Sequence, residues 1–310
     1  MSGPVVGVDF GLSVTDAVLV EGGAVVAHAA LSRPGAASRA VLERALDALG
    51  AAAGAAPHAL GVTGGRSATL EAAHGAAILV HVPEPEAIGR GGLELAGATR
   101  ALVVSCGTGT AMVAADAAAD RFAHYSGTAV GGGTLEGLAA HLLGVRDAEA
   151  VMGLAARGDA AGVDTTLGEV LGGGVGALPA HATAVNLGRL ADLAAPAAED
   201  LAAGLVTMVA QTVALVAVNA ARAAGLERTV VVGRLAGFAA VRRVIESVFA
   251  LYGAPAPRFP PGGEHATAEE QRILQANTHI AAELRSRRGQ WHLRRACTQH
   301  LPDDHLVQIG

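Results

Sequence analysis

The chain has 310 residues, of which 51% are hydrophobic and 16% charged, and its formal net charge is −6 at pH 7. This length and apolar content suffice for one large domain or two lobes, and the charge gives no support for nucleic-acid binding. All 22 basic residues are arginines. The absence of lysine excludes P-loop NTPases, protein kinases, PLP enzymes and Schiff-base aldolases, since each of these classes needs a lysine at its site.

The two cysteines, Cys106 and Cys297, lie too far apart in sequence to suggest a disulfide framework or a zinc site. No secretory signal is visible at the N-terminus, and no apolar run approaches the ~20 residues of a membrane span. The 12 histidines show no paired metal-ligand spacing. We therefore expect a soluble, cytoplasmic protein without a histidine- or cysteine-based metal site.

Short apolar runs bounded by glycine turns alternate with alanine-rich helical patterns in the first hundred residues. The predicted elements are strands over 5–8, 17–20 and 24–27, a helix over 36–53, a strand over 59–65, a helix over 67–74, a strand over 77–82 and a helix that begins after Pro83. Such an alternation is typical of an α/β fold.

The second part of the chain adds a strand pair and then glycine loops and long helices. The predicted elements are strands over 101–105 and 111–115, helices over 134–143, 148–156 and 197–224, a strand over 229–232 and a helix over 239–251. This order favours a two-lobed fold with ligands in the cleft between the lobes. The arginine-rich segment 271–310 is interpreted as a tail outside the core.

The first segment whose residues could form a ligand site is the turn after the first predicted strand. Asp9 ends that strand, and Gly11 and Ser13 follow in the turn. A carboxylate there can hold hydrated Mg²⁺, and turn amides can face a phosphate. Taken alone, the segment fits a β-hairpin with a structural aspartate equally well.

A second strand–turn–strand segment contains Gly107, Thr108, Gly109 and Thr110. Glycines let the backbone approach a phosphate, and the hydroxyls add donors, although hairpins also use glycine for twist. The interpretation as a phosphate-binding turn is strengthened by the position of this segment, a whole lobe after the first hairpin.

Three consecutive glycines, Gly131, Gly132 and Gly133, run directly into a predicted helix. An anion can meet unpaired amides at such a helix start. A flexible linker is the alternative, but the flanking residues are apolar and periodic rather than serine-rich.

The stretch GTAVGGGTLEGLAAHLLG at 127–144 resembles the glycine-rich signature of type II pantothenate kinases. The other segments that resemble the family, in the same order, are EPEAIGRGG at 84–92, VVSCGTGTAMV at 103–113, RGDAAGVDTTLGEVLGG at 157–173, LPAHATAVNLGRL at 178–190 and TVVVGRLAGFAAVRRVIE at 229–246. The resemblance spans roughly residues 5 to 270.

This resemblance implies a two-lobed actin/hexokinase/Hsp70-like (duplicated RNase H-like) fold with ATP in the interlobe cleft. The lobes are expected over 1–112 and 113–270, with 271–310 as the tail. The implied reaction is phosphoryl transfer from MgATP to the hydroxyl of pantothenate, giving 4′-phosphopantothenate for coenzyme A biosynthesis. The resemblance also implies a homodimer.

The family pattern assigns roles to individual residues. By resemblance Glu84 is the catalytic base, with Glu86 as the alternative, and a structural acid at a helix N-terminus is the other interpretation of Glu84. Asp9 would hold Mg²⁺ through water. The three glycine segments would cradle the ATP phosphates, and Gly233 would let the adenosine lie close to the backbone.

The residues expected to bind the acceptor match the family pattern less closely. Some members of the family have an arginine before the signature that binds the pantothenate carboxylate. Here His124 stands at that position and Arg121 lies three residues earlier, and either could serve, with Gly127 and Thr128 of the signature beside them.

The first loop departs from the family pattern. Leu12 replaces a glycine, and Asp16 replaces a lysine, so that a cation is exchanged for an anion. Two alternatives therefore stay open: a kinase of the same fold for another small hydroxylated acceptor, such as a sugar, and an ATP-binding regulator that has lost catalysis.

Overall fold

The computed structural model describes residues 5–263, except 22–23, 33–34, 51–58, 66, 72 and 75–76. These residues belong to one compact unit. The predicted tail over 271–310 and Cys297 lie outside the described residues.

Twelve strands and eight helices occur in the part of the chain that the structure describes. The strands are β1 (Val5–Phe10), β2 (Val14–Glu21), β3 (Ala24–Ser32), β4 (Ala59–Gly64), β5 (Ala73–His74), β6 (Ala77–His81), β7 (Arg100–Cys106), β8 (Thr110–Asp116), β9 (Arg121–Thr128), β10 (Thr165–Thr166), β11 (Thr183–Val185) and β12 (Thr229–Val232). The helices are α1 (Arg39–Leu49), α2 (Glu84–Leu95), α3 (Gly132–Leu142), α4 (Ala148–Ala155), α5 (Leu167–Leu171), α6 (Ala198–Ala223), α7 (Arg234–Gly237) and α8 (Ala239–Leu251).

The first sheet has the strand order β3-β2-β1-β4-β6-β5. The central strands β1, β4 and β6 are parallel, whereas β2 and β3 form an antiparallel meander. Leu19 and Leu60 on one face pack with Leu42 of α1 in a single apolar cluster. Asp9 lies on the opposite face of the sheet, away from this apolar cluster.

The second sheet has the order β12-β7-β8-β9, with β12 parallel to β7 and the others antiparallel. Leu102 and Met112 on one face join the large core around α6. Val103 and Val113 on the other face pack against α2. Helices on both faces of this mixed sheet bury β12 and nearly all of β7, which is the arrangement expected of an α/β lobe.

Helix α6 is the centre of the second core. By length and composition it could cross a membrane, with a mean hydropathy of 2.1 over its most apolar window, so the expectation that no run reaches that length is wrong for this helix. However, 67% of that window is buried inside the structure, where α6 packs against α8, α4 and α3. A helix that is apolar on nearly all sides is also the signature of a core helix.

The sheets correct two expectations about individual elements. They also show that the change of sheet comes between β6 and β7, whereas residue 112, the predicted lobe boundary, lies inside β8. The predicted helix over 67–74 is only a 3₁₀ turn at 67–69 followed by β5, because Ala73 and His74 pair with β6 instead. Strand β9 lies where we predicted glycine loops, and it forms the edge of the second sheet.

Candidate active site

The two glycine hairpins meet where the sheets face each other. Ser13 lies in the turn between β1 and β2, and Thr108 lies in the turn between β7 and β8. The Thr108 hydroxyl donates a hydrogen bond of 2.9 Å to the Ser13 hydroxyl oxygen. The structure thus brings together two hairpins that are separated by 95 residues.

The start of α3 is fastened to the second hairpin. The amide of Gly132 donates to the Gly107 carbonyl at 2.8 Å, and the amide of Gly133 donates to the Thr108 carbonyl at 2.9 Å. The Gly131 amide donates to the Thr134 hydroxyl. Because all three amides are occupied, the triple glycine does not offer the unpaired donors that the sequence suggested; it lets two backbones pack against each other.

This packing predicts opposite effects for two glycines of one region. A Cβ at Gly131 would lie 2.8 Å from the carbonyl carbon of Gly109, whereas a Cβ at Gly137, inside α3, would meet nothing within 4 Å. We expect Gly131→Ala to lower the free energy of unfolding by about 1–3 kcal/mol through overpacking. We expect Gly137→Ala to raise it by about 0.5–1 kcal/mol through helix propensity. Chemical denaturation of both variants checks this, and equal effects would contradict the packing.

A row of polar side chains crosses the end of the first sheet. Asp9 pairs with Asp16 on β2 and with Thr63 on β4. Directly paired residues of neighbouring strands carry their side chains on the same face. The carboxylates of Asp9 and Asp16 and the hydroxyl of Thr63 therefore lie side by side.

The electrostatics of this row act most strongly on Asp9. Burial raises the pKa of Asp9 to about 8, with further increases from the negative charges of Asp16 and Glu84 and a decrease from Arg234. A carboxyl group in this condition keeps its proton at neutral pH until a cation arrives.

The residues of this row suit a hydrated Mg²⁺ ion. The Thr63 hydroxyl is buried and has no hydrogen-bond partner in the described structure, although buried hydroxyls nearly always have one. Oxygen donors are the ligands that Mg²⁺ prefers, and Mg²⁺ usually keeps several waters. Asp9 would hold the ion, directly or through water, and Thr63 would accept or donate to one of those waters.

Asp16 has acquired a partner from the other sheet. Its carboxylate lies 2.8 Å from the guanidinium of Arg234, which follows β12, and 3.4 Å from the His28 ring on β3. Asp16 is only 6% exposed. The anion that replaces the family's lysine is therefore neutralised by a cation 218 residues away.

Gly233 connects the strand end β12 to this region. Its φ is 93°, and a Cβ there would lie 2.6 Å from the carbonyl oxygen of Cys106. Only glycine fits such a left-handed, crowded position. The Cys106 thiol itself is fully buried, and burial raises its pKa to about 12, so it is an inert core thiol rather than a nucleophile.

Glu84 and Glu86 begin helix α2 but have different surroundings. Glu86 forms an ion pair with Arg90 at 2.8 Å, and Arg90 also contacts Asp120 and the ring of Phe122. Glu84 is exposed, has no hydrogen bond or ion pair with any described residue, and lies close enough to Asp9 to raise its pKa. Of these two carboxylates, that of Glu84 is therefore the one available to accept a proton from a substrate.

The candidate acceptor residues are spread along β9. Thr128 pairs with Thr110 next to the glycine hairpin, and His124 pairs with Val113 further along. Arg121 pairs with Asp116 at the opposite end of the strand. Seven residues of extended strand span about 23 Å, so Arg121 is far from the signature, whereas His124 lies near Gly127.

A polar network that the sequence did not reveal ties two of the family-like segments together. Asp164 is 1% exposed, and its carboxylate accepts hydrogen bonds from the Leu187 amide at 2.7 Å and from Thr183 at 3.2 Å. Asn186 donates to Gln211 of α6 at 2.9 Å. A cleft of about 570 Å³ lies beside this network, between α6, α8 and the segment 178–186. No local signal predicts these contacts, because their partners are 19 to 25 residues apart.

Comparison with known proteins agrees with this architecture. The model of the Fumble family matches residues 98–245. Pantothenate kinase 1 of Oryza sativa subsp. japonica is 32% identical over 133 residues, which is 41% of this chain and 20% of the rice protein. The chain therefore matches only about a fifth of the length of that relative.

Two solved structures share the whole fold. The activator of the 2-hydroxyisocaproyl-CoA dehydratase from Clostridium difficile, with bound ADPNP, has a TM-score of 0.64 at 19% identity, covering 91% of this chain and 97% of its own. A ROK family glucokinase from Streptomyces griseus, in complex with glucose and AMPPNP, has a TM-score of 0.55 at 12% identity, covering 88% and 99%. The fold is the two-lobed actin/hexokinase-like fold, as predicted, and the Fumble match over residues 98–245 confirms the resemblance to type II pantothenate kinases.

Proposed function

We propose that the protein transfers the γ-phosphoryl group of MgATP to the hydroxyl of pantothenate and so forms 4′-phosphopantothenate. The observation that carries this proposal is the hydrogen bond between Ser13 and Thr108, which joins the two hairpins at the site of Asp9. The Fumble match and the rice relative support the kinase class and this acceptor.

The nucleotide would lie between the hairpins. The turns at Gly11–Ser13 and at 107–109 would contact its phosphates, and Gly233 would allow the adenosine to approach the backbone. Bound Mg²⁺ would neutralise charge on the phosphates as the phosphoryl group leaves. Asp9 and Thr63 would fix its position.

Glu84 would act as the general base. A carboxylate within hydrogen-bond reach of the acceptor hydroxyl can take its proton as the phosphoryl group arrives. Glu84 is exposed and without a partner among the described residues, while Glu86 is committed to Arg90. This difference favours Glu84 over Glu86.

On the acceptor side, the position of β9 favours His124 over Arg121. His124 lies nearer to the signature residues Gly127 and Thr128, with which it would contact the pantothenate. A protonated imidazole can bind a carboxylate, although less strongly than a guanidinium does.

We also propose that the chain forms a homodimer. Four large apolar side chains in the segment 170–185 are about half exposed: Val170, Leu171, Val175 and Val185. Apolar groups concentrated in one exposed segment favour burial against another surface. Sedimentation equilibrium should give twice the chain mass of 30.6 kDa, and a mass that stays at one chain would contradict the dimer.

An acceptor panel tests the proposed reaction. ADP release from MgATP is measured with pantothenate, glucose, N-acetylglucosamine and no acceptor. Release that depends on pantothenate is expected. Release that depends on a sugar and not on pantothenate would instead favour the alternative kinase, and ATP binding without release would favour the regulator.

A further inference from the structure

Arg234 connects the two sheets at the site. It follows Gly233 at the end of β12 and reaches Asp16 on β2 at 2.8 Å. Asp16 is buried, whereas the Arg234 side chain is 49% exposed. The pair therefore has one end buried in the first sheet and one end open to solvent.

The Arg234 guanidinium retains capacity for a second partner. It has five N–H donors, and its hydrogen bond to Asp16 is its one polar contact among the described residues. A planar guanidinium can hold a carboxylate on one edge and bind phosphate oxygens on another. The half-exposed side chain leaves the second edge accessible.

The charge of the surroundings makes such a cation necessary. Asp16 and Glu84 both lie close enough to Asp9 to raise its pKa, and ionised carboxylates repel the phosphates of a nucleotide. The chain has no lysine to offset them. Arg234 is near enough to Asp9 to lower its pKa, which places its positive charge beside the magnesium candidate rather than at the periphery.

We propose that Arg234 is a phosphate-binding residue of this site, held in position by Asp16, and that it supplies the positive charge that the family's lysine would provide from the first hairpin. In this chain the cation follows β12, whereas in the family pattern it lies in the first hairpin. This inference rests on the proposed function, since it requires a nucleotide in the cleft.

Nucleotide affinities of Arg234→Gln test the proposal. Calorimetry in the presence of Mg²⁺ compares ATP, ADP and adenosine. The variant should bind MgATP about 10- to 100-fold more weakly, as expected for one lost charge-assisted hydrogen-bonding group, and adenosine as tightly as the wild type. The control variant Arg39→Gln loses only a surface pair with Glu43 on α1 and should bind both ligands normally.

A structural role for Arg234 gives different results. Equal weakening of MgATP and adenosine, or unchanged affinity for both, would overturn the inference while leaving the proposed kinase intact. Wild-type protein that binds no MgATP would overturn the inference and the proposed function together.

Arg234→Lys is the second variant, in case Arg234→Gln does not fold. It keeps the charge and a pair with Asp16, so we expect normal thermal unfolding. Because an ammonium cannot make two parallel hydrogen bonds to a phosphate, its MgATP affinity should fall about 3- to 10-fold with adenosine affinity unchanged. Wild-type affinity for MgATP in this variant would contradict the proposal.

Discussion

Glu84→Gln should lower kcat about 10²- to 10⁴-fold while the affinity for MgATP stays at the wild-type value. The amide keeps the shape of the side chain but cannot accept the proton of the acceptor hydroxyl. Because Glu84 is exposed at the first turn of α2 and forms no hydrogen bond or ion pair with the described residues, its replacement should not affect folding. Steady-state kinetics with pantothenate and calorimetry with MgATP measure the two quantities separately.

Glu86→Gln is the matched control for this experiment, since it changes a carboxylate on the same helix turn. Its loss removes the ion pair with Arg90, which is partly exposed, and should cost at most about 1 kcal/mol of stability with little effect on kcat. If Glu86→Gln loses activity and Glu84→Gln does not, the two roles are reversed. If neither variant loses activity, no carboxylate of α2 is the base.

Asp9→Asn should abolish Mg²⁺-dependent turnover, with a loss of at least about 100-fold, and should at the same time stabilise the nucleotide-free protein at pH 8. The loss follows because an amide is a much poorer Mg²⁺ ligand than a carboxylate. The gain follows because the ionised form of Asp9 is unfavourable in its partly buried position beside Asp16 and Glu84.

The sign of the pH effect is defined by the raised pKa of Asp9. In the folded state this pKa is about 8, and in the unfolded chain it returns to about its ordinary value of 3.8. Between these values the folded protein holds a proton that the unfolded chain has released, so the free energy of unfolding falls as the pH rises.

Urea denaturation at pH 5 and pH 8 measures this effect. Since Asp9 retains some contact with solvent, we expect a relative gain of about 1–3 kcal/mol for Asp9→Asn at pH 8 compared with pH 5. Asp47→Asn, on the exposed side of α1, should show no such gain. A wild-type pH dependence in Asp9→Asn would show that Asp9 is ionised without penalty.

The sequence predicts the elements whose signals are local. Helices α6 and α8 are within one residue of the predicted bounds, because long periodic segments carry strong patterns. The two hairpins are predicted because a glycine turn follows a short strand in each, with Asp9 at the end of the first strand and Thr108 and Thr110 in the second segment. The family resemblance implied that both hairpins contact the ATP phosphates, but the hydrogen bond between Ser13 and Thr108 was not predicted.

Other features depend on contacts that no local pattern contains. All eight residues of β9 are exposed or half-buried, and among the described strands it pairs only with β8, so its sequence lacks a buried strand run. The pairing of Asp16 with Arg234 joins two strand ends on different sheets. From sequence the exchange of lysine for Asp16 leaves a regulator without catalysis as an open alternative, whereas the structure shows that Asp16 is paired with Arg234.

Transfer of the γ-phosphoryl group to pantothenate is the most direct test of the account. Purified protein is incubated with pantothenate and ATP labelled with ¹⁸O in the γ-phosphoryl group, with and without Mg²⁺, and the products are analysed by mass spectrometry. We expect labelled 4′-phosphopantothenate in the presence of Mg²⁺ only. Unlabelled or absent phosphopantothenate, from a protein that binds MgATP, would contradict it.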